Sequence, residues 1–209
     1  MGQILDNGPA LPYFPKTAAS KVTFEEYLAC DSESGYVEGV DGEIVFLPNP
    51  TFQHQETLGF LLILLLGFNS NYERGTIVQT PFAMKLPTLN RSRVPDILFV
   101  TKEREHLFAE NYLNGAADVA IEIISPGTGR TDRGDKYFEY EVSGVNEYWL
   151  IDPERQHAEF YQLGDDKLYH TMSLQEETIF RSAIITGFGF GLIGFGTNRM
   201  NWKRCASWA

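Results

Sequence analysis

The sequence predicts a mixed α/β chain in which a mixed β-sheet is flanked by helices. Three observations carry this. Short apolar runs with the two-residue alternation of strands recur from residue 36 onward, beginning with a hairpin. The run 58–68 is apolar nearly all round and suits a buried helix. A segment of helical character at 132–143 then separates two further strand-like runs, 118–124 and 147–151. With 209 residues and 43% hydrophobic content the chain can bury a sizeable core, and domain-size priors favour one unit. We expect a single domain over 21–196, a flexible arm at 1–20 and a basic tail at 197–209 holding Arg199, Lys203 and Arg204.

Thr23 followed three residues later by Glu26 is a capping box opening a short helix. Tyr36–Val40 and Glu43–Leu47 flank Asp41-Gly42, a strong hairpin signal, and Pro48 and Pro50 stop the second strand. The helix from Phe52 to about Tyr72 needs cover from a sheet, other helices or a second copy, which makes a homodimer an expectation. Strands are expected at 76–80, 82–86 and 94–100, a polar loop near 102–115, and a strand at 118–124. After the turn 125–129 comes the helical segment ending at Gly144, a C-cap glycine. Strands at 147–151 and 157–163 lead into a meander through Tyr169 and Ile179–Ile185, and 187–196 is too irregular to assign.

Charge and composition exclude several classes. The 11-residue apolar run is short of the roughly 20 residues a bilayer-spanning helix needs. The N-terminal stretch has neither a basic region nor a continuous apolar one, so no signal peptide is expected. Cys30 and Cys205 are too few for a zinc cluster or disulfide framework, which suits a reducing cytoplasm. A net charge of −11 repels polyanions at long range. Against that, Arg91, Arg93, Arg130, Arg133 and Lys136 lie near the carboxylate strands and could form a local basic rim. Binding to nucleic acid is then expected to be weak and strongly salt-dependent, through phosphate contacts that carry no sequence preference.

Two carboxylates stand out. In Val94-Pro95-Asp96-Ile97-Leu98-Phe99-Val100, alternation puts Asp96 on the face of Leu98 and Val100, and Glu122 lies between Ile121 and Ile123. Buried carboxylates demand partners, and a hard divalent cation with oxygen ligands keeps two of them ionised side by side. Asp132, Lys136 and Tyr140 share one helix face, so Lys136 can point back at the carboxylates and stabilise charge developing on a phosphoryl group. The same residues have structural explanations. Asp96 suits a turn cap, Glu122 an ion pair with Arg91, Arg93 or Lys136, and Lys136 a solvated face or a pairing with Asp132. Glu38 suits an exposed hairpin position and His54 a local hydrogen bond. Tyr140, Tyr148 and Trp149 are assigned to packing rather than base stacking.

The set VEGVDGEI at 37–44, His54 ahead of the apolar helix, VPDILFV at 94–100, IEIISPGT at 121–128, Asp132, Lys136, Tyr140 and VNEYWLIDP at 145–153 resembles the Uma-two family of restriction-endonuclease-like proteins, over roughly 20–190. The resemblance implies a PD-(D/E)xK core, a mixed sheet with flanking helices, in which Asp96 and Glu122 hold Mg²⁺ or Mn²⁺. In that superfamily a lysine stands two residues after the glutamate. Here that position is Ile124, and Lys136 is the lysine that would take its place. Glu38 matches a family glutamate and is a further acidic candidate for positioning a water or a second ion. The expected function is metal-dependent hydrolysis of DNA phosphodiester bonds, with Asp96, Glu122, Lys136 and Glu38 as site residues. A catalytically silent binding protein that kept the fold, and a hydrolase of another phosphoester, are the alternatives.

Overall fold

The structure, a computed structural model, describes residues 21–34, 36–174 and 179–191. The arm expected at 1–20 and the tail expected at 197–209 lie outside these residues, as does Cys205. Helix α1 (Phe24–Ser34) opens with the expected capping box: Glu26 N donates to Thr23 Oγ1 at 3.2 Å, and Thr23 N to Glu26 Oε2 at 2.7 Å. Strands β1 (Val37–Val40) and β2 (Glu43–Phe46) pair around Asp41 and Gly42, whose φ values of 54° and 83° are those of the primed turn that an Asp-Gly pair adopts readily. Helix α2 (Phe52–Tyr72) follows, capped by Thr51, whose side chain accepts from His54 N.

Two mixed sheets organise the rest. Strands β3 (Gly75–Gln79), β4 (Ala83–Leu86), β5 (Arg91–Arg93), β6 (Ile97–Thr101), β7 (Tyr112–Asn114), β8 (Val119–Ile123), β9 (Glu147–Asp152), β10 (His157–Leu163) and β11 (Tyr169–Thr171) divide between them. The first sheet has the order β2-β1-β5-β4-β7 and the second β11-β10-β9-β8-β6-β3. Parallel pairing occurs between β4 and β7 and between β8 and β9, the latter joined by the helical crossover that parallel neighbours require. That crossover is α3 (Gly129–Thr131), a π-helical stretch Asp132–Lys136, and α4 (Tyr137–Ser143), ended by Gly144 at φ 83°. Strands β12 (Ile179–Arg181) and β13 (Gly189–Gly191) form a separate hairpin. Three elements depart from expectation. The run 94–100 contributes a strand only from Ile97, and the short strands β5 and β7 arise in stretches with no strand pattern, since three residues are too few to show a period.

The second sheet separates two apolar clusters by strict alternation. Ile97, Phe99, Val119, Ile121, Ile123, Trp149 and Ile151 pack with Leu58, Leu61, Leu65 and Phe68 of α2. Leu98, Val100, Ala120, Tyr148 and Leu150 point to the opposite side, with Tyr140 and Val145. Helix α2 therefore buries one face on the sheet and leaves Ile63 and Leu66 exposed on the other. Among described residues no helix is long and apolar enough to cross a membrane.

The C-terminal hairpin is tied to the sheet through Glu147, buried at the start of β9. Its carboxylate accepts from Trp149 Nε1 at 3.0 Å, Ser182 Oγ at 2.8 Å, Ala183 N at 2.6 Å and Ile184 N at 3.0 Å. Glu147→Ala strands four donors and is expected to destabilise the fold by about 3 kcal/mol. The urea midpoint should fall with its slope unchanged, and a midpoint equal to that of the parent protein would contradict this role.

Candidate metal centre

Alternation places Glu122 on the face of Ala120 and Tyr148, and Asp96, just ahead of β6, on the face of Leu98. Both carboxylates line one pocket together with Lys136, His54, Tyr36 and Val94. The segment 47–50 contributes Leu47, Pro48 and Pro50 to the lining. All four acid and base candidates are buried: Glu38 is 1% exposed, Asp96 6%, Glu122 4% and Lys136 4%.

Lys136 is the hub. Its Nζ lies 2.8 Å from Glu122 Oε1, 3.1 Å from Glu38 Oε1 and 3.5 Å from Asp132 Oδ1, and Asp96 is not among its ion-pair partners. The π-helical stretch 132–136 bears on this because wider turns of this kind alter which side chains share a face and often occur at functional sites. The expected shared face survives it, since Tyr140 OH also donates to Glu122 Oε1, at 2.7 Å. Tyr140 is thus a packed core residue, as expected, and in addition a hydrogen-bond donor to the site.

Asp96 is oriented by two donors from different elements. Ile123 N of β8 donates to its Oδ2 at 2.7 Å, and His54 Nε2 of α2 lies 3.1 Å from Oδ1 and 3.2 Å from Oδ2. His54 Nδ1 is buried without a protein partner. Glu38 is not an exposed hairpin residue. Arg93 Nη1 donates to its Oε2 at 2.6 Å and Val94 N to its Oε1 at 3.2 Å.

Behind Glu38 lies a buried ionic network missed at the level of sequence. Arg93, 3% exposed, donates from Nε and Nη2 to the two oxygens of Glu139, both at 2.6 Å, in the fork geometry that suits a guanidinium and a carboxylate. Arg91 pairs with Glu139 and with Asp41. Arg133 pairs with Asp152 and Glu159. The residues considered as a basic rim are therefore largely neutralised. Arg91, Arg93, Arg133 and Lys136 each face carboxylates, whereas Arg130 is exposed.

These surroundings set the ionisation of the pocket. Burial pushes the Glu122 carboxyl well up, and the carboxylates of Asp132, Asp96 and Glu38 add to this against the pull of Lys136. Burial alone would also push Glu38 up, but Lys136, Arg93 and the amide of Val94 hold it below its ordinary value. Burial disfavours charge on Lys136, yet Glu122, Glu38 and Asp132 outweigh it and raise its pKa well above that of a free lysine. Lys136 is consequently a fixed cation. The pocket holds more carboxylate than Lys136 can neutralise, and a further cation would relieve Glu122.

The donor set suits a hard ion that keeps much of its hydration. Among described residues no three His, Cys, Asp or Glu side chains form a ready cage. Asp96 and Glu122 instead offer two carboxylates on one pocket wall, the one-or-two-carboxylate pattern by which Mg²⁺ binds with water and substrate oxygens completing its shell.

Comparison with known proteins decides the family. The model of the Uma2 family, described as "Putative restriction endonuclease", matches residues 24–192. The chain belongs to the Uma2 family. Among solved structures this Uma2 chain is similar to a "putative nuclease belonging to DUF820" from Anabaena variabilis ATCC 29413. The TM-score is 0.63 at 18% identity, and the match covers 79% of this chain and 94% of that one. At that identity the likeness shows the fold, which is nuclease-like. No curated protein sequence matches the chain. The Uma2 match spans every residue of the pocket, from Tyr36 to Lys136.

Proposed function

We propose that this Uma2 protein is a metal-dependent endonuclease that hydrolyses DNA phosphodiester bonds, with Asp96 and Glu122 as ligands of Mg²⁺ or Mn²⁺. The observation that carries this is the convergence of Asp96, Glu122 and Lys136, from three separate elements, on one pocket in a chain of a restriction-endonuclease family. A bound divalent ion would polarise a phosphoryl oxygen and make a bound water a better nucleophile. The chain supplies the rest. Lys136 keeps its proton, so it serves as a positive charge beside the phosphoryl group rather than as a base. Glu38 stays ionised and, anchored by Arg93, pairs with Lys136 alongside Glu122. Ile123 N and His54 fix Asp96 in one orientation, so little reorganisation is needed when substrate arrives.

A second reading, a nuclease fold retained for binding without cleavage, is favoured by the neutralised arginines and the net charge of −11. Incubating plasmid and single-stranded DNA with the protein and Mg²⁺, Mn²⁺ or EDTA separates the two. Cleavage that requires the metal supports the enzyme, and intact DNA under every condition supports the silent binder. With Arg91, Arg93, Arg133 and Lys136 paired to carboxylates, DNA binding is expected to be weak and to fall with added salt.

The uncovered face of α2, with Ile63 and Leu66 exposed, is proposed to be covered by a second copy. Light scattering at micromolar concentration should give twice the chain mass of 23.7 kDa, and a monomeric mass would contradict it. The paucity of cysteine supports a cytoplasmic setting.

A further inference from the structure

We infer that the strand entering this pocket is unpaired, and that the protein grips single-stranded DNA by stacking bases on Phe46 and Phe52, which flank the pocket-lining segment 47–50 in the chain. The inference rests on the pocket being a phosphodiester-cleaving site and names the form of its substrate.

Three observations lead there. First, the chemistry is recessed. Asp96 and Glu122 are each less than a tenth exposed, and Leu47, Pro48 and Pro50 form part of the wall of the pocket they line. A duplex carries its phosphates on a stiff, convex surface and cannot follow them into such a recess without deformation, whereas a flexible single strand can. Second, the cations that would track the two backbones of a duplex are engaged. Arg91, Arg93 and Arg133 are held by Asp41, Glu139, Glu38, Asp152 and Glu159. Third, the wall segment is bracketed by two large exposed aromatics. Phe46 ends β2 with 68% of its surface exposed, and Phe52 opens α2 with 78% exposed. Six residues apart, they can be separated by no more than about 20 Å, within reach of one short stretch of strand. Tyr140, Tyr148 and Trp149, the aromatics singled out from sequence, are buried and unavailable.

Exposed phenylalanine contributes nothing to the core here, and stacking on it tolerates any base because every base has a π-face. Such a grip also suits a protein with net charge −11, since it depends less on neutralising phosphates. Lys136 then meets the one phosphate that enters the pocket.

The test is fluorescence anisotropy in EDTA, which keeps cleavage out of the measurement, with a short labelled oligothymidylate and a duplex of the same length. The single strand should bind about tenfold tighter or more. Phe46→Ala and Phe52→Ala should each weaken single-strand binding about fivefold to a hundredfold, the cost of one lost base–aromatic stack. Phe46→Trp and Phe52→Trp should retain it, and all four variants should keep the parent melting temperature because both rings are exposed. Equal or tighter duplex binding, no measurable single-strand binding, or alanine variants with unchanged affinity would overturn the inference. Single-strand preference without cleavage under any metal would instead sink the hydrolase reading alone.

Discussion

Asp96→Asn and Glu122→Gln are each expected to lower metal-dependent cleavage by about 10³-fold or more while leaving the protein folded. Each substitution keeps the shape of the side chain and removes one of the two charges that would hold the ion. Glu122→Gln has a second consequence for stability. Glu122 has a raised pKa in the fold, through burial and its neighbouring carboxylates, so the metal-free native state binds a proton that the unfolded chain releases. Its contribution is present below the ordinary glutamate range and is lost as pH rises through the folded value. At neutral pH without metal, Glu122→Gln should therefore be neutral or stabilising, and it should flatten the loss of stability on going from mild acid to neutrality. Denaturant midpoints in EDTA across that range check this. A destabilised glutamine variant would mean that Glu122 serves the fold rather than an ion.

Arg93→Ala is expected to have the largest structural cost, about 3–5 kcal/mol, because it removes the buried cation that two buried carboxylates share and leaves each with a single remaining one, Arg91 for Glu139 and Lys136 for Glu38. Glu139, fully buried, would lose both bonds of its fork, and Glu38 would keep only Val94 N and Lys136. In a chain of this size the melting temperature should fall by on the order of 10 °C. Glu139→Ala should cost a similar amount. The double variant should cost clearly less than the sum, because each single change strands the partner that the double change removes. Additive losses would show that the pair acts through something other than their mutual contact.

These expectations also show where the sequence is informative. Glu122 is legible because a carboxylate between Ile121 and Ile123 has no apolar explanation, and two-residue alternation already puts Asp96 on the face of Leu98. Lys136 is legible because its four-residue spacing from Asp132 and Tyr140 survives the π-helical stretch. The supporting layer is not. Arg93 and Glu139 meet across 46 residues, Arg93 and Glu38 across 55, and His54 and Asp96 across 42, and no local pattern encodes contacts of that range. Nearness to Asp96 in the chain makes Arg93 a candidate both for a basic rim and for an ion pair with Glu122. The first sheet instead turns its side chain inward, where only a paired guanidinium is tolerated. Exposed residues are equally silent: nothing about Phe46 or Phe52 in sequence says that the segment between them lines a pocket.

Calorimetric titration of Mn²⁺ into the protein, beside Asp96→Asn and Glu122→Gln, tests the central claim most directly because it needs no substrate. One divalent ion should bind the parent chain, and its affinity should fall by at least about tenfold in each variant, in line with the loss of a charged ligand. An absence of binding heat in the parent chain, or equal affinity in all three proteins, would contradict a metal centre at Asp96 and Glu122.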